Sequence, residues 1–299
     1  MDFTALRYFS ETAHSGSIRT ASERLHVSPS AISRQIAKLE HELRMSIFDR
    51  RAQGMTLTPA GEILRDKFEG MMREFSRVKS HIAALQEIQA GTVDVVCFQT
   101  AIESFVAPVL HRVHVQYPNI VFNVRMSNTD EAMEALTTGA AEIGLIINPP
   151  VRDAIVSTPI FRDTIVAAVG PSHPLAKRRA VSLRELAEFP FVLTEPSFGQ
   201  RQQIDQTFTR HRFKPEIFCI TNSISLVKGV ASVGRQCTLL PRFAVKHEVA
   251  AGNLCAISVK EFSEDTLVFC ACARSDRTLS PATKVFVAVV VDYCRRCRR

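Results

Sequence analysis

The sequence predicts an α/β protein whose N-terminal part is dominated by helices. Three observations support this prediction: apolar residues recur at helical spacing through residues 1–58, one apolar seam runs through residues 59–90, and short β-branched runs alternate with helical segments through residues 91–299. Alternation of strands and helices is typical of a mostly parallel sheet with helices on both faces. We therefore expect three domains with these boundaries.

The composition predicts a soluble globular protein. Of 299 residues, 46% are apolar and 22% are charged, which excludes a largely disordered chain. No apolar run reaches the roughly 18 residues of a membrane span, and the first residues lack the basic start and apolar run of a secretory signal. We therefore expect a cytoplasmic protein without a membrane partner. Its eight cysteines are then expected to be thiols rather than disulfides.

The formal net charge of +7 is concentrated at one end of the chain. More than half of it comes from Arg295, Arg296, Arg298 and Arg299. A basic protein is compatible with nucleic-acid binding, but a basic tail is more often only a solvated end. The local pattern of residues must therefore decide whether the protein binds DNA.

Residues 1–58 predict a winged helix-turn-helix. Apolar stripes at spacings of three and four mark three short helices, and Ser17 and Ser28 are placed to cap the second and the third. Pro29 suits the first position of the third helix. The following segment, IFDRRAQGMTLT, predicts two short strands around a turn, with Met55 and Leu57 alternating.

The third helix carries the residues that we expect to bind DNA. Burying Ile32, Ile36 and Leu39 turns small polar residues and one arginine to solvent, which suits a helix entering the major groove, about 12 Å wide. Arginines of the wing are placed to bind backbone phosphates. The alternative for each arginine is a solvated surface charge. The predicted DNA-binding residues are Ser28, Pro29, Ser30, Ser33, Arg34, Lys38, Arg50 and Arg51.

Residues 59–90 predict one long helix that begins after Thr58 with Pro59 at its first position. Its apolar residues recur at alternating spacings of four and three, the heptad pattern of a helix packed against a partner helix. The alternative is an amphipathic helix lying on its own domain. We expect a dimer seam formed by Leu64, Phe68, Met71, Phe75, Val78, Ile82 and Leu85.

Three turns in residues 91–299 each join the end of a predicted strand to the start of a helix. Ligands of such sheets lie beyond the carboxyl ends of the strands, and helix N-termini favour anions. A carboxylate or another organic anion is therefore the expected ligand. The alternative is that the hydroxyl groups only cap helices. The candidate ligand-binding residues are Gln99, Thr100, Ser197, Phe198, Gly199 and Ser223.

The N-terminal stretch resembles the DNA-binding domain of LysR-type transcriptional regulators almost position by position. It reads LRYFSETAHSGSIRTASERLHVSPSAISRQIAKLEHELRMSIFDRRAQGMTLTPAGE. Further along, TTGAAEIGLI, HPLA and CTLLPRFAV occur in the order usual for that family. The resemblance covers essentially the whole chain. One departure is that Pro29-Ser30 stands where the family often has Gln-Pro, so Ser30 or Ser33 takes the place of that glutamine in base contacts.

The resemblance implies a transcription regulator that binds promoter DNA and responds to a small molecule. It further implies a homodimer or homotetramer, with RNA polymerase as a candidate partner. The effector domain of that family is similar to periplasmic binding proteins, which have two subdomains. In this chain the resemblance implies subdomain I at residues 92–161 and 267–299 and subdomain II at residues 162–266. Thr100 and Ser197 match places where family members contact effectors, and Ser223 is a weaker match.

A thiol-based sensor and an enzyme are the alternatives to a transcription regulator. Cys294 and Cys297 have the spacing of a metal or redox pair, which would suit a thiol-based sensor, although no second pair accompanies them. An enzyme has no support, because the chain lacks a phosphate loop, a nucleophile elbow and a histidine pair at ligand spacing. We therefore expect no catalytic residue, no metal and no cofactor.

Overall fold

The computed structural model describes residues 2–51, 54–84, 90–262 and 266–296. The chain divides into two compact units, Met1–Ser76 and Arg77–Arg299. The division falls inside one long helix. Among the described residues, no helix is both long and apolar enough to cross a membrane.

The first unit is a three-helix domain with a hairpin. Its elements are α1 (Phe3–Ser15), α2 (Ile18–Leu25), α3 (Pro29–Leu43), β1 (Phe48–Arg51), β2 (Gly54–Leu57) and the beginning of α4 (Pro59–Ala84). The predicted caps are confirmed: Ser17 and Ser28 accept hydrogen bonds from Thr20 and Ala31 backbone N–H groups. A few neighbouring residues are enough to predict these caps, because a capping side chain bonds to an N–H group within the first turn of its own helix.

The core of this unit is formed by the apolar stripes of the helices. Phe9, Ile32, Ile36, Leu39 and Ile47 are almost completely buried, and residues of β2 and α4 pack around them. A Cβ atom at Gly61 would lie 2.1 Å from the Ile47 carbonyl oxygen. Only glycine therefore lets α4 begin so close to the start of the hairpin.

The second unit is an α/β domain with strands of both directions. Its strands are β3 (Gly91–Cys97), β4 (Ile120–Met126), β5 (Ile143–Ile147), β6 (Ile155–Val169), β7 (Ala180–Val181), β8 (Phe191–Thr194), β9 (Ile217–Thr221), β10 (Thr238–Pro241), β11 (Cys255–Val259) and β12 (Thr266–Arg274). Its helices are α5 (Gln99–Ala101), α6 (Ala107–Gln116), α7 (Thr129–Thr137), α8 (Leu183–Leu186), α9 (Gly199–Arg210), α10 (Ile224–Val233), α11 (Lys246–Ala250) and α12 (Pro281–Arg296). A π-helical turn at Ile102–Val106 joins α5 to α6, and a 3-10 turn at Arg242–Val245 precedes α11.

These elements form two subdomains joined by two crossing strands. The large sheet has the order β4-β3-β5-β12-β6-β11-β7, with β10 also paired to β6, while β8 and β9 form a separate pair. The first subdomain contains β3, β4 and β5, and the second contains β7 to β11. Strand β6 pairs with β12 through one half and with β10 and β11 through the other. It therefore belongs to both subdomains.

The expectation of a mostly parallel sheet holds only for part of each subdomain, because β10 and β11 pair antiparallel with β6, and β12 pairs antiparallel with β5. Strands β3, β4 and β5 are mutually parallel, as are β8 and β9. Strands β6 and β12 are antiparallel, because β6 leads from the first subdomain to the second and β12 leads back. Asn148, at the first crossing, exchanges two hydrogen bonds with Val268 at the second, of 2.9 and 2.8 Å.

Candidate functional sites

The exposed face of α3 carries the predicted DNA-binding side chains. Ser30, Arg34 and Lys38 are exposed and Ser33 is half-buried, on the side opposite the buried Ile32. The helix begins with Pro29, so no N–H group is left unpaired at its first position. This end of α3 therefore presents small polar groups and one guanidinium together, as a helix in a major groove needs.

Ser28 acts as a helix cap in this structure. Its hydroxyl accepts a hydrogen bond of 3.3 Å from the Ala31 N–H group and lies 3.1 Å from the Ser30 hydroxyl. The backbone of Arg50 and Arg51 lies in β1, opposite Met55 and Gly54 of β2. The side chains of these two arginines lie outside the described part of the chain.

The wing is fixed to the turn between α1 and α2. The Met55 N–H group donates a hydrogen bond of 2.9 Å to the Gly16 carbonyl oxygen. Since β1 pairs with β2 along its length, this contact also holds the strand that carries the two predicted phosphate-binding arginines. The wing thereby becomes part of the same rigid domain as α3.

The predicted seam of α4 has two parts with different surroundings. Phe68 is only 6% exposed and packs against Phe3 with ring centroids 5.9 Å apart, and Leu64 joins the same core. These two residues therefore stabilise their own domain, which corrects their expected place in a dimer seam. Outward-facing apolar residues, each about half exposed, follow along the helix: Met71, Phe75, Val78 and Ile82. Leu85 lies outside the described residues.

A cleft lies between the two subdomains at one of the three predicted turns, the one before α9; of the candidate ligand residues, Phe198 and Gly199 line it, and Gln99, Thr100, Ser197 and Ser223 do not. Phe198 and Gly199 line it together with Phe98, Ser127 and Thr129. The cavity has a volume of about 10 Å³, close to the minimum for one water molecule. The cleft is therefore closed in this structure.

Backbone contacts hold the two walls of the cleft together. The Gly199 N–H group donates a hydrogen bond of 3.1 Å to the Thr129 hydroxyl, and the Thr129 N–H group donates one of 3.3 Å to the Ser197 carbonyl oxygen. A Cβ atom at Gly199 would lie 2.4 Å from the Ile147 carbonyl oxygen. Glycine is therefore required for α9 to begin so close to β5.

Two hydroxyl groups at the cleft are buried without a hydrogen-bond partner among the described residues. They belong to Ser127 and Ser197. Helix α9 begins after Phe198, which supplies no side-chain cap. Ser223, by contrast, caps α10 through the Leu226 N–H group at 3.3 Å. Ser127 is not among the residues predicted from the sequence, although it directly follows the parallel strand β4, as the predicted turns follow their strands.

Gln99 connects the two subdomains. Its side-chain oxygen accepts a hydrogen bond of 3.0 Å from the Ile224 N–H group, and its side-chain nitrogen donates one of 2.7 Å to the Ser225 hydroxyl. Thr100, the next residue, is 2% exposed. The predicted ligand residue Gln99 is thus engaged in holding the first turn of α10 against the start of α5.

Lys228 adds an ion-pair cluster beside this contact that sequence reasoning did not anticipate. The ammonium group is almost completely buried and lies 3.0 Å from a Glu103 oxygen and 2.9 Å from a Glu248 oxygen. Glu103 belongs to the first subdomain and Glu248 to the second. The same lysine therefore links a carboxylate from each subdomain.

Three buried thiols of the second unit are poorly suited to act as nucleophiles or redox sensors. Burial raises the pKa of Cys97, Cys237 and Cys272 to about 12. A reactive cysteine needs the thiolate form, which a lowered pKa provides. Cys294 is buried, and Cys297 lies outside the described residues.

Family models match both parts of the chain. Residues 3–62 match the bacterial regulatory helix-turn-helix protein of the lysR family, and residues 86–295 match the LysR substrate binding domain. The chain belongs to the LysR family. It is therefore a DNA-binding transcriptional regulator with an effector-binding domain, which confirms the resemblance drawn from the sequence.

Individual LysR-type regulators are similar over nearly the whole length. The transcriptional dual regulator GltC of Bacillus subtilis (strain 168) is 29% identical over 304 residues, which cover 98% of this chain and 97% of GltC. The structure of full-length CbnR with its target DNA has a TM-score of 0.73 at 22% identity and 99% coverage of both chains. These likenesses confirm the predicted fold class.

The second unit is also similar to an isolated effector domain. The effector binding domain of QuiR in complex with shikimate has a TM-score of 0.60 at 20% identity. It covers 69% of this chain and 98% of that one. At this identity the likeness establishes the fold of the effector domain.

Proposed function

We propose that this LysR-type regulator binds promoter DNA through α3 and the wing and responds to a small organic anion held in the cleft between its subdomains. The domains are assigned as residues 1–58 for DNA binding, 59–90 for dimerisation and 91–299 for effector binding. Subdomain I takes residues 92–161 and 267–299, and subdomain II takes 162–266. The protein acts in the cytoplasm as a homodimer or homotetramer, without catalysis, and RNA polymerase is the candidate partner at the promoter.

The main support for an anionic effector comes from Ser127 and Ser197. Their buried hydroxyls have no partner among the described residues, and an unmade buried hydrogen bond costs about 1–3 kcal/mol. The N-terminus of α9, which has no side-chain cap, adds a partial positive charge at the same place. A ligand with negatively charged oxygens can accept hydrogen bonds from the two hydroxyls and is attracted by the N-terminus of α9. The shikimate bound by QuiR belongs to this chemical class.

Effector binding requires the cleft to open. A cavity of about 10 Å³ has no room for an organic acid, so the two subdomains must separate or rotate to admit one. A ligand shifts such an equilibrium only by its difference in affinity between the two arrangements. The movement alters the geometry of the linked DNA-binding domains, which is how the effector changes the regulator's action on DNA.

Dimerisation is assigned to the exposed part of α4. Met71, Phe75, Val78 and Ile82 keep the heptad spacing and are each about half exposed. A pair of these helices buries the apolar residues of both chains. Two linked recognition helices can then bind two half-sites on the same DNA, which strengthens binding without any new contact.

The test of the effector site compares two serines of the full-length protein. A panel of small organic acids is first screened by thermal shift, and the best acid is then titrated by calorimetry. Ser197→Ala should weaken its binding by roughly 0.5–3 kcal/mol without lowering the stability of the ligand-free protein. Ser223→Ala, the matched control, removes a helix cap and should lower the free energy of unfolding by about 0.5–2 kcal/mol without changing the affinity. Wild-type affinity in Ser197→Ala would place the effector elsewhere.

A further inference from the structure

A second cavity lies beside the crossing strand β6 and shares no lining residue with the cleft. Its volume is about 460 Å³, within the range of roughly 300–1,000 Å³ that is usual for small-molecule sites. Phe105 and Tyr293 contribute walls from the first subdomain, and Phe243 and Val249 contribute walls from the second. The cavity therefore spans both subdomains, as the cleft does, but has enough room for an organic molecule in this structure.

The lining of this cavity combines an aromatic wall with cationic groups. Phe161 packs against Phe105 and Phe243, with ring centroids 6.2 and 5.5 Å apart. Of the described residues that line it, Arg162, Arg242 and Lys246 are cationic and Asp163 is the one carboxylate. That carboxylate already accepts a hydrogen bond of 2.8 Å from the Phe243 N–H group. A ligand with an aromatic ring and one negative charge is therefore complementary to the phenylalanine rings and the cationic side chains of this cavity.

We propose that this cavity is a second ligand site of the regulator and takes a small aromatic anion, a carboxylate or a sulfonate. The ring of such a ligand stacks on the phenylalanine wall. Its charged group lies toward Arg242 and Lys246, whose side chains are exposed and can meet it at the mouth of the cavity. A few charged groups at the edge of an apolar pocket are the usual source of orientation and specificity.

The aromatic wall continues toward the cleft. Phe161 stacks on Phe269 at a centroid distance of 4.4 Å, and Phe269 lies 4.8 Å from Phe98, which lines the cleft. Substitution of these rings would disturb both sites. The test therefore uses Ala256, a small lining residue of β11 that faces the second cavity, and leaves the phenylalanines intact.

The experiment titrates the full-length protein with 1-anilinonaphthalene-8-sulfonate, an aromatic anion that fluoresces in apolar surroundings. Ala256→Phe fills the cavity and should weaken the binding of this probe by about tenfold or more. Ala288→Phe makes the same substitution on an exposed helix face beside a different surface groove and should leave the affinity unchanged. Circular dichroism and the thermal midpoint establish that each variant is folded.

Substitution of the cationic residues at the mouth of the cavity tests the proposal independently, because it removes charge without filling the cavity. Arg242→Gln with Lys246→Gln should weaken probe binding and make it less sensitive to salt, whereas Arg184→Gln, at an exposed position of α8, should not. Ser197→Ala in the cleft should bind the probe as the wild type does. Unchanged affinity in both Ala256→Phe and the double glutamine variant overturns the proposal. Loss of binding in Ser197→Ala with retention in Ala256→Phe overturns it too, because the probe would then occupy the cleft.

Discussion

Single residues of the same type differ here through their surroundings. Ser197 and Ser223 both precede a helix that follows a strand, and both were candidate ligand residues. Ser223 caps its helix at 3.3 Å, whereas the Ser197 hydroxyl is buried without a partner among the described residues. A cap stabilises the folded chain, and an unsatisfied hydroxyl destabilises it until a ligand arrives. The unsatisfied Ser197 hydroxyl is therefore the one that supports the proposed effector site.

Arg34 is the residue that we expect to read sequence. If its guanidinium binds a guanine edge through two hydrogen bonds, Arg34→Ala should cost about 1–3 kcal/mol of operator affinity and relax the preference at one base pair. Fluorescence anisotropy with operators changed at single positions measures both effects. An unchanged operator affinity would remove Arg34 from the interface.

Arg50 provides the contrasting case. A phosphate contact carries no sequence information, so Arg50→Ala should weaken binding to all DNA sequences alike. It should also lower the slope of log affinity against log salt by about one. The same anisotropy titrations, repeated from low to moderate salt with operator and unrelated DNA, separate this behaviour from that of Arg34→Ala.

At the scale of one element, a single heptad pattern runs through two different surroundings in α4. Its first two seam residues pack into the domain core, and the next four are about half exposed. The pattern is the same in both parts because each needs apolar residues on one side of the helix. What differs is whether the chain's own hairpin and α1 lie beside that side. The beginning of the helix therefore lies on its own domain, and the exposed part is the proposed dimer seam.

Two phenylalanines of α4 should separate folding from association. Phe68→Ala should lower the free energy of unfolding by about 3–5 kcal/mol, because Phe68 is buried in the core. Phe75→Glu should leave the fold intact, since Phe75 is 51% exposed, yet disrupt the seam by placing a charge there. Chemical denaturation measures the first effect and analytical ultracentrifugation the second. A fully oligomeric Phe75→Glu would mean that another surface assembles the protein.

At the scale of the whole effector domain, polar contacts hold the closed arrangement of the subdomains. Gln99 bonds to the first turn of α10, and Lys228 joins Glu103 to Glu248. Opening of the cleft must break at least part of this set. If an effector opens the cleft as proposed, these contacts add to the free energy that its binding has to supply.

Removal of the lysine tests the weight of this cluster. Lys228→Met leaves two partly buried carboxylates without their cation. The free energy of unfolding should therefore fall by roughly 3 kcal/mol. This value is the lower end for a broken buried ion pair, because both carboxylates keep some solvent contact. Lys177→Met, at an exposed position, is the matched control. Equal denaturation midpoints for Lys228→Met and the wild type would show that the ion pairs do not stabilise the domain.

The amino-acid sequence by itself determined the elements whose signals are local. Ser17 and Ser28 cap their helices as predicted, and the apolar stripe through Ile32, Ile36 and Leu39 forms the core of the first unit. The candidate cleft was also predicted in part, since strand ends followed by helix starts are visible in the pattern. Such signals act over three or four residues, a distance that the order of the chain specifies directly.

The tertiary structure alone decided what depends on distant residues. Glu103 and Lys228 are 125 positions apart, and nothing within either segment marks them as partners. The antiparallel pairing of β6 with β12 and the second cavity likewise arise from segments far apart in the chain. The same is true of the buried Ser127 hydroxyl, which has no partner among the residues that the structure describes. Contacts of this kind form only when whole elements pack, because the hydrophobic effect that drives packing is non-directional and does not specify which side chains meet.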